Sequence, residues 1–170
     1  MKRHLLSKRD MKELANAVPE LSDYLRGLSE LEYYGLEDLA LYVAGKTPVL
    51  AVTELTIEGV KREYRFPTIP FINRNPQLQE RYGLIDVDQG AVSHIAGGAD
   101  VMRPGIKSIR GNFSKGSIVL VRDPRGLVIA VGAALYSSGD MIGMSKGKVI
   151  QNIHHVNDRI WKIFEELNKT

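Results

Sequence analysis

Apolar positions Met11, Leu14, Ala15 and Val18 recur at helical spacing behind Ser7-Lys8-Arg9-Asp10, and a serine just ahead of such a face reads as an N-cap. Pro19 has no N–H to donate, so it ends this helix and suits the first turn of a second, which runs to Gly27. The period then shortens. Leu39–Ala44 and Pro48–Glu54 flank Gly45-Lys46-Thr47 and predict a hairpin, and Glu58-Gly59 marks a turn into a short strand over Lys61–Phe66. Pro67, Pro70 and Pro76 predict an extended segment that cannot be a central strand. Gln77–Tyr82 reads as a last helical turn, stopped by Gly83.

The second half has a different rhythm. Leu84–Val87 predicts a short strand and Gln89–Ala96 a helix, with Ala91, Val92, Ile95 and Ala96 on one side. Gly97-Gly98 ends that helix, because glycine enters the left-handed conformation without a Cβ clash. A strand over Ala99–Met102 and a Pro104-Gly105 turn follow. Ser117–Arg122 and Leu127–Tyr136 are β-prone and joined by Asp123-Pro124-Arg125-Gly126, a hairpin signal. Val149–Val156 predicts another strand, turned at Asn157-Asp158 into a last strand over Arg159–Lys162, although Ile160, Ile163, Phe164 and Leu167 also fit helical spacing. Many short strands with a single helix suggest a small, partly closed barrel. The boundary between two units falls near Gly83–Ile85, giving residues 1–84 and 85–170.

At 170 residues with 44% hydrophobic and 25% charged side chains, the chain suits two small packed units. The absence of cysteine removes disulfides, zinc ribbons and thiol chemistry. Met1–Asp10 has basic residues but no apolar run of the signal-peptide kind, so a cytoplasmic location is expected. Residues 1–85 carry 12 Lys/Arg against 12 Asp/Glu, whereas residues 86–170 carry 11 against 8. Within Val101–Arg122 stand Arg103, Lys107, Arg110, Lys115 and Arg122 with no acid between them, which points to a phosphate-bearing partner.

Catalytic motifs fail on inspection. Gly139–Lys148 invites a phosphate-loop reading, but Ile142 stands where the leading glycine belongs and Val149 where Ser or Thr would bind magnesium. It reads instead as a glycine-rich loop between strands. No G-x-G-x-x-G sequence occurs and no G-x-S-x-G nucleophile elbow is read, although Gly143-Met144-Ser145-Lys146-Gly147 has that spacing, so no cofactor is expected. His154 and His155 point to opposite faces of a strand and predict no metal site. Asp86 and Asp88 could pair as carboxylates, but Asp88 is better placed to cap the helix beginning at Gln89. Asn112-Phe113-Ser114 and Asn168-Lys169-Thr170 match a glycosylation sequon that has no meaning in a cytoplasmic chain.

Gly98-Ala99-Asp100-Val101-Met102-Arg103-Pro104-Gly105, with Gly90-Ala91, the Val128–Tyr136 strand and the stretch from Gly147-Lys148 to Trp161, resembles the PUA domain. That RNA-binding module is shared by pseudouridine synthases and archaeosine transglycosylases. The ending Asn152–Trp161 resembles archaeal relatives of the translation factor "multiple copies in T-cell malignancies" and of ligatin. The resemblance implies an α/β N-terminal (pre-PUA) domain packed on a C-terminal mixed β PUA pseudobarrel. It implies a non-catalytic protein recognising structured RNA, either tRNA or small-subunit rRNA, in translation initiation, re-initiation or ribosome recycling. Carried onto this chain, the RNA surface comprises Ser93, His94, Gly97, Gly98, Ala99, Asp100, Arg103, Pro104 and Gly105, with Arg159 and Lys162 on the last strand. Met102 is expected inside the barrel, and Lys107 and Arg110, in the loop beyond, join the surface on charge alone. Two other readings stay open: a tRNA-targeting subunit of an RNA-modification enzyme, and an adaptor whose N-terminal domain binds a protein.

Overall fold

The computed structural model describes residues 1–169. The sequon at Asn168 and the end of the 85–170 unit therefore reach Thr170, outside the described residues. The N-terminal unit is a five-stranded antiparallel meander in chain order: β1 (Lys2–Leu5), β2 (Glu32–Gly35), β3 (Leu39–Ala44), β4 (Thr47–Ile57) and β5 (Val60–Pro67). Helices α1 (Lys8–Ala17) and α2 (Ser22–Arg26) lie between β1 and β2, and α3 (Ile69–Arg74) follows β5. Ser7 caps α1, its hydroxyl accepting from the Asp10 amide at 3.0 Å, and Met11, Ala15 and Val18 are buried as the spacing predicts.

The second sheet has the order β7-β11-β10-β9-β6-β8. Its strands are β6 (Gly83–Val87), β7 (Val101–Met102), β8 (Ile106–Arg110), β9 (Ile118–Arg122), β10 (Val128–Ala134) and β11 (Lys148–His155). Among the described residues only β6 and β9 pair in parallel. The edge strands β7 and β8 are joined by a 3-10 turn at Arg103–Gly105, so the sheet curls towards closure. Helices α4 (Gln89–Ala96), α5 (Ser138–Ile142) and α6 (Arg159–Leu167) complete this half. All of β10 is buried, which explains its unbroken apolar run, a pattern expected of a strand covered on both faces. Ile129 and Ala130 face the barrel core, while Val128, Val131 and Ala133 belong to a larger core shared with the N-terminal unit.

Four expectations change, and two strands were not foreseen. The proline segment is not extended: Thr68 caps α3, Pro70 sits in its first turn where no N–H is needed, and Ile69, Phe71 and Ile72 are buried. Arg159 and Lys162 lie on a helix rather than a last strand. Asp158 accepts from the Trp161 amide at 3.0 Å as the N-cap of α6, and the helical spacing of Ile160, Ile163, Phe164 and Leu167 wins. Residues 106–110 form a strand where a loop was expected. The glycine-rich stretch contains α5, capped by Ser137. Strands β1 and β2 had no sequence signal, being four residues each and paired across 27 or more positions of chain.

Three contacts are prominent among those that lock the halves together. His154 is fully buried; its Nε2 accepts from the Ile69 amide at 3.0 Å, so its Nδ1 carries the proton and donates to Asp158 Oδ2 at 2.7 Å. The Asn73 side chain both donates to Val128 O (3.0 Å) and accepts from Val128 N (2.9 Å), as a neighbouring strand would. On the surface, Arg159 forks onto both oxygens of Asp38 at 2.7 and 3.2 Å.

Candidate nucleic-acid interface

Helix α4 starts where Asp88 accepts from the Ala91 amide at 3.0 Å. It ends at Gly97, with Gly98 at φ +105°, a conformation side chains with a Cβ rarely adopt. A Cβ on Gly98 would also lie 3.0 Å from His155 Nε2. The turn beyond is pinned to β11 by polar groups: Asp100 Oδ1 accepts from Asn152 N at 2.8 Å, and Asn152 Nδ2 donates to Ile95 O and Ala99 O. Asp100 also meets Lys148 Nζ at 3.3 Å. At the other end of α4, Gly105 O accepts from Asp88 N at 2.9 Å, and a Gly105 Cβ would touch Ala91 at 3.1 Å. The helix, the glycine turn and the Arg103–Gly105 turn thus form one continuous surface.

Ser93, His94, Gly97, Ala99 and Pro104 are exposed on that surface, and Gly98, Asp100, Arg103 and Gly105 are half-buried in it. Met102 is a correction: its side chain is 51% exposed rather than packed in the barrel, because Val101 takes the inward position of this two-residue strand. Arg103 is a correction of a different kind. Its guanidinium is directed at carbonyls, with Nε donating to Met141 O at 2.8 Å and the Nη atoms 3.5 Å from Ile106 O and Ile142 O. It braces α5 against the turn more than it faces solvent.

The basic run is largely neutralised in space. Arg110 and Arg122 both bind Asp86, at 2.7 and 2.8 Å, and Lys115 meets Glu58 at 3.2 Å. Arg110 stands at the far end of β8 from the Arg103–Gly105 turn. Lys107 alone in the run is exposed with no ion-pair partner among the described residues. Arg159 and Lys162 are carried by α6, with Arg159 held by Asp38, and His155, just before α6, packs against Gly98. Sequence reasoning missed Lys146 and Ile142. The Arg103 amide donates to Gly147 O at 2.8 Å, which brings the backbone next to exposed Lys146 alongside Met102–Arg103, and the Arg103 guanidinium reaches the carbonyl of the 60% exposed Ile142. Both lie in or beside the stretch read as a plain loop, and no local sequence signal marks them, because their approach depends on β7 pairing with β11.

This helix, glycine turn and curled mixed sheet define a PUA module, and the chain matches the PUA domain family over residues 83–156. Along its whole length it is 32% identical to an uncharacterized protein of Methanocaldococcus jannaschii, covering 94% of this chain and 95% of that one. It is 26% identical to translation machinery-associated protein 20 of Saccharomyces cerevisiae, over 91% of this chain and 86% of the relative. A conserved PUA domain protein from Thermoplasma acidophilum superposes with a TM-score of 0.73 at 26% identity, over 96% and 99% of the two chains. The chain belongs to the family of archaeal PUA-domain proteins homologous to translation machinery-associated protein 20 and malignant T-cell-amplified sequence 1.

Proposed function

We propose that this protein is a non-catalytic binder of folded RNA, either tRNA or small-subunit rRNA, acting in translation initiation, re-initiation or recycling. The division into residues 1–84 and 85–170 belongs to this proposal, the second unit supplying the RNA surface. One observation carries it: a backbone-bare glycine turn lies on the same surface as exposed Met102, with unpaired Lys107 and Lys146 beside it. Such a surface lets a sugar–phosphate chain approach main-chain amides closely while the lysines contact phosphates and the apolar side chains meet bases. The name of the yeast relative, translation machinery-associated protein 20, supports a place in translation. The RNA contacts are Ser93, His94, Gly97, Gly98, Ala99, Pro104, Gly105 and Lys107, with Asp100 and Arg103 shaping the turn beneath. Arg110, Arg159 and Lys162 lie towards the rim.

The test is binding of tRNA, small-subunit rRNA fragments and an unstructured RNA of equal length across a salt series. A preference for one folded RNA supports the reading and chooses between the two targets. Lys107→Ala should lower the slope of log K against log salt by about 0.7–0.9, the value of one lost phosphate contact. Arg103→Ala should instead lower the melting temperature and weaken binding with little change of slope. Equal weak binding to all three RNAs, or an unchanged slope in Lys107→Ala, would place the RNA elsewhere or remove it.

A further inference from the structure

The first 85 residues are neutral in sum but not in space. Helix α1 sorts its charges by face: Lys8 and Lys12, with Arg26 of α2, line one groove of about 310 Å³ that has no acid in its lining. Asp10 and Glu13 line a different groove of about 370 Å³, between α1 and the face of the N-terminal sheet that bears Tyr33 and Tyr42. We infer that this second groove is a docking site for an extended, lysine- or arginine-bearing segment of a partner protein.

The floor of the groove is aromatic. His4, Tyr33 and Tyr42 are cross-strand partners on β1, β2 and β3, so their side chains share one face. Their ring centroids are 5.0 and 5.6 Å apart, and Tyr33 and Tyr42 meet edge to face. Three rings on adjacent strands span roughly 10 Å, about the reach of three extended residues. The rim is acidic: Asp10 and Glu13 come from α1 and Glu63 from β5, against one cation, Arg65, held 2.6 Å from Glu63. Among the described residues Glu13 is engaged only by Arg9 across open solvent, an ion pair that yields readily to another cation. Burial raises the titration of the Tyr42 hydroxyl, and the negative field of Tyr33, Glu63 and Asp10 adds to it against Arg65.

Ring faces attract cations through the aromatic quadrupole, and carboxylates at the same spot complete the match. The acids decide between two macromolecules that aromatic rings could serve. Bases could stack on the tyrosines, but their phosphates would face Asp10, Glu13 and Glu63, so the occupant is a protein segment and not RNA.

The experiment uses the full chain and a fluorescein-labelled peptide, acetyl-Ser-Lys-Ser-Lys-Ser-Lys-amide, with the glutamine counterpart and a single-stranded RNA as competitors. Saturable binding of the lysine peptide is expected, at least tenfold tighter than the glutamine peptide and not displaced by the RNA. Asp10→Asn with Glu13→Gln should weaken it at least fivefold, as should Tyr33→Leu, while Tyr33→Phe, which keeps the ring, retains it. Folding is checked by melting temperature, and the two charge substitutions on exposed positions keep the test valid should Tyr33→Leu unfold. Absent binding, equal binding of both peptides, displacement by RNA or indifference to the charge variants would overturn the inference. So would concentration-dependent self-association abolished by the same variants, which would give the groove to a second copy. RNA affinity through the α4 surface should be unchanged in every variant, so this inference and the proposed function fail separately.

Discussion

The stretch Val101–Arg122 and the first 85 residues carry charge in opposite ways. The former reads as a basic block, yet the fold brings Asp86 to Arg110 and Arg122, Glu58 to Lys115, and carbonyls to Arg103, leaving Lys107. The latter reads as neutral, yet α1 separates it into a basic groove and an acidic, aromatic one. Linear charge therefore overstated one surface and concealed two others. What matters electrostatically is which partners the strand order supplies. Asp86 lies on β6, flanked by β8 on one side and β9 on the other, so it reaches an arginine from each.

That comparison can be broken most forcefully at Asp86. Asp86→Ala would strand Arg122, whose side chain is only 15% exposed, together with Arg110 and the Ser108 hydroxyl. We expect a loss of about 3 kcal/mol in urea denaturation, since removing one partner of a largely buried pair leaves the other charge uncompensated. A loss below 1 kcal/mol would mean that Asp86 is not what neutralises the run. Gly98→Val comes next. The positive φ and the contact with His155 predict a loss of about 1–3 kcal/mol and weaker RNA binding, while peptide binding at the N-terminal groove stays intact. The smallest effect is that of pH. Burial pushes the Asp158 carboxyl up, but the hydrogen bond from His154 Nδ1 and those from the amides of Trp161 and His155 more than offset it, so it titrates below its ordinary value of 3.8. Its stabilising contribution is complete above 3.8 and disappears as pH falls through the lowered value. Asp158→Asn should flatten that part of the acid-denaturation curve; an unchanged curve would place the acid sensitivity elsewhere.

Local rules made much of the fold legible. Ser7 and Asp88 announced their helices because a cap is read within three residues, and Asp123–Gly126 announced its hairpin for the same reason. Errors fell where tertiary partners decide. The prolines around α3 looked like breakers until Thr68 and the shared core made Pro70 a first-turn residue. The stretch after Asp158 was balanced between strand and helix, and the cap hydrogen bond that tips it also depends on His154. In the candidate site, the glycine turn was visible as a motif. The outward rotation of Met102 and the approach of Lys146 were not, because both depend on β7 pairing with β11 across 46 residues of chain.

The seam between the units has a mechanical consequence. Leu120, Val128, Val131 and Ile160 from the second unit sit in the same core as Leu41, Leu50 and Phe66 from the first, with the Ile69–His154 and Asn73–Val128 hydrogen bonds across it. A joint of this kind has no hinge to absorb rotation. Were RNA held on the α4 surface and a peptide in the N-terminal groove, this joint would act as a caliper, fixing their angle and separation by the fold instead of by the flexibility of the ligands.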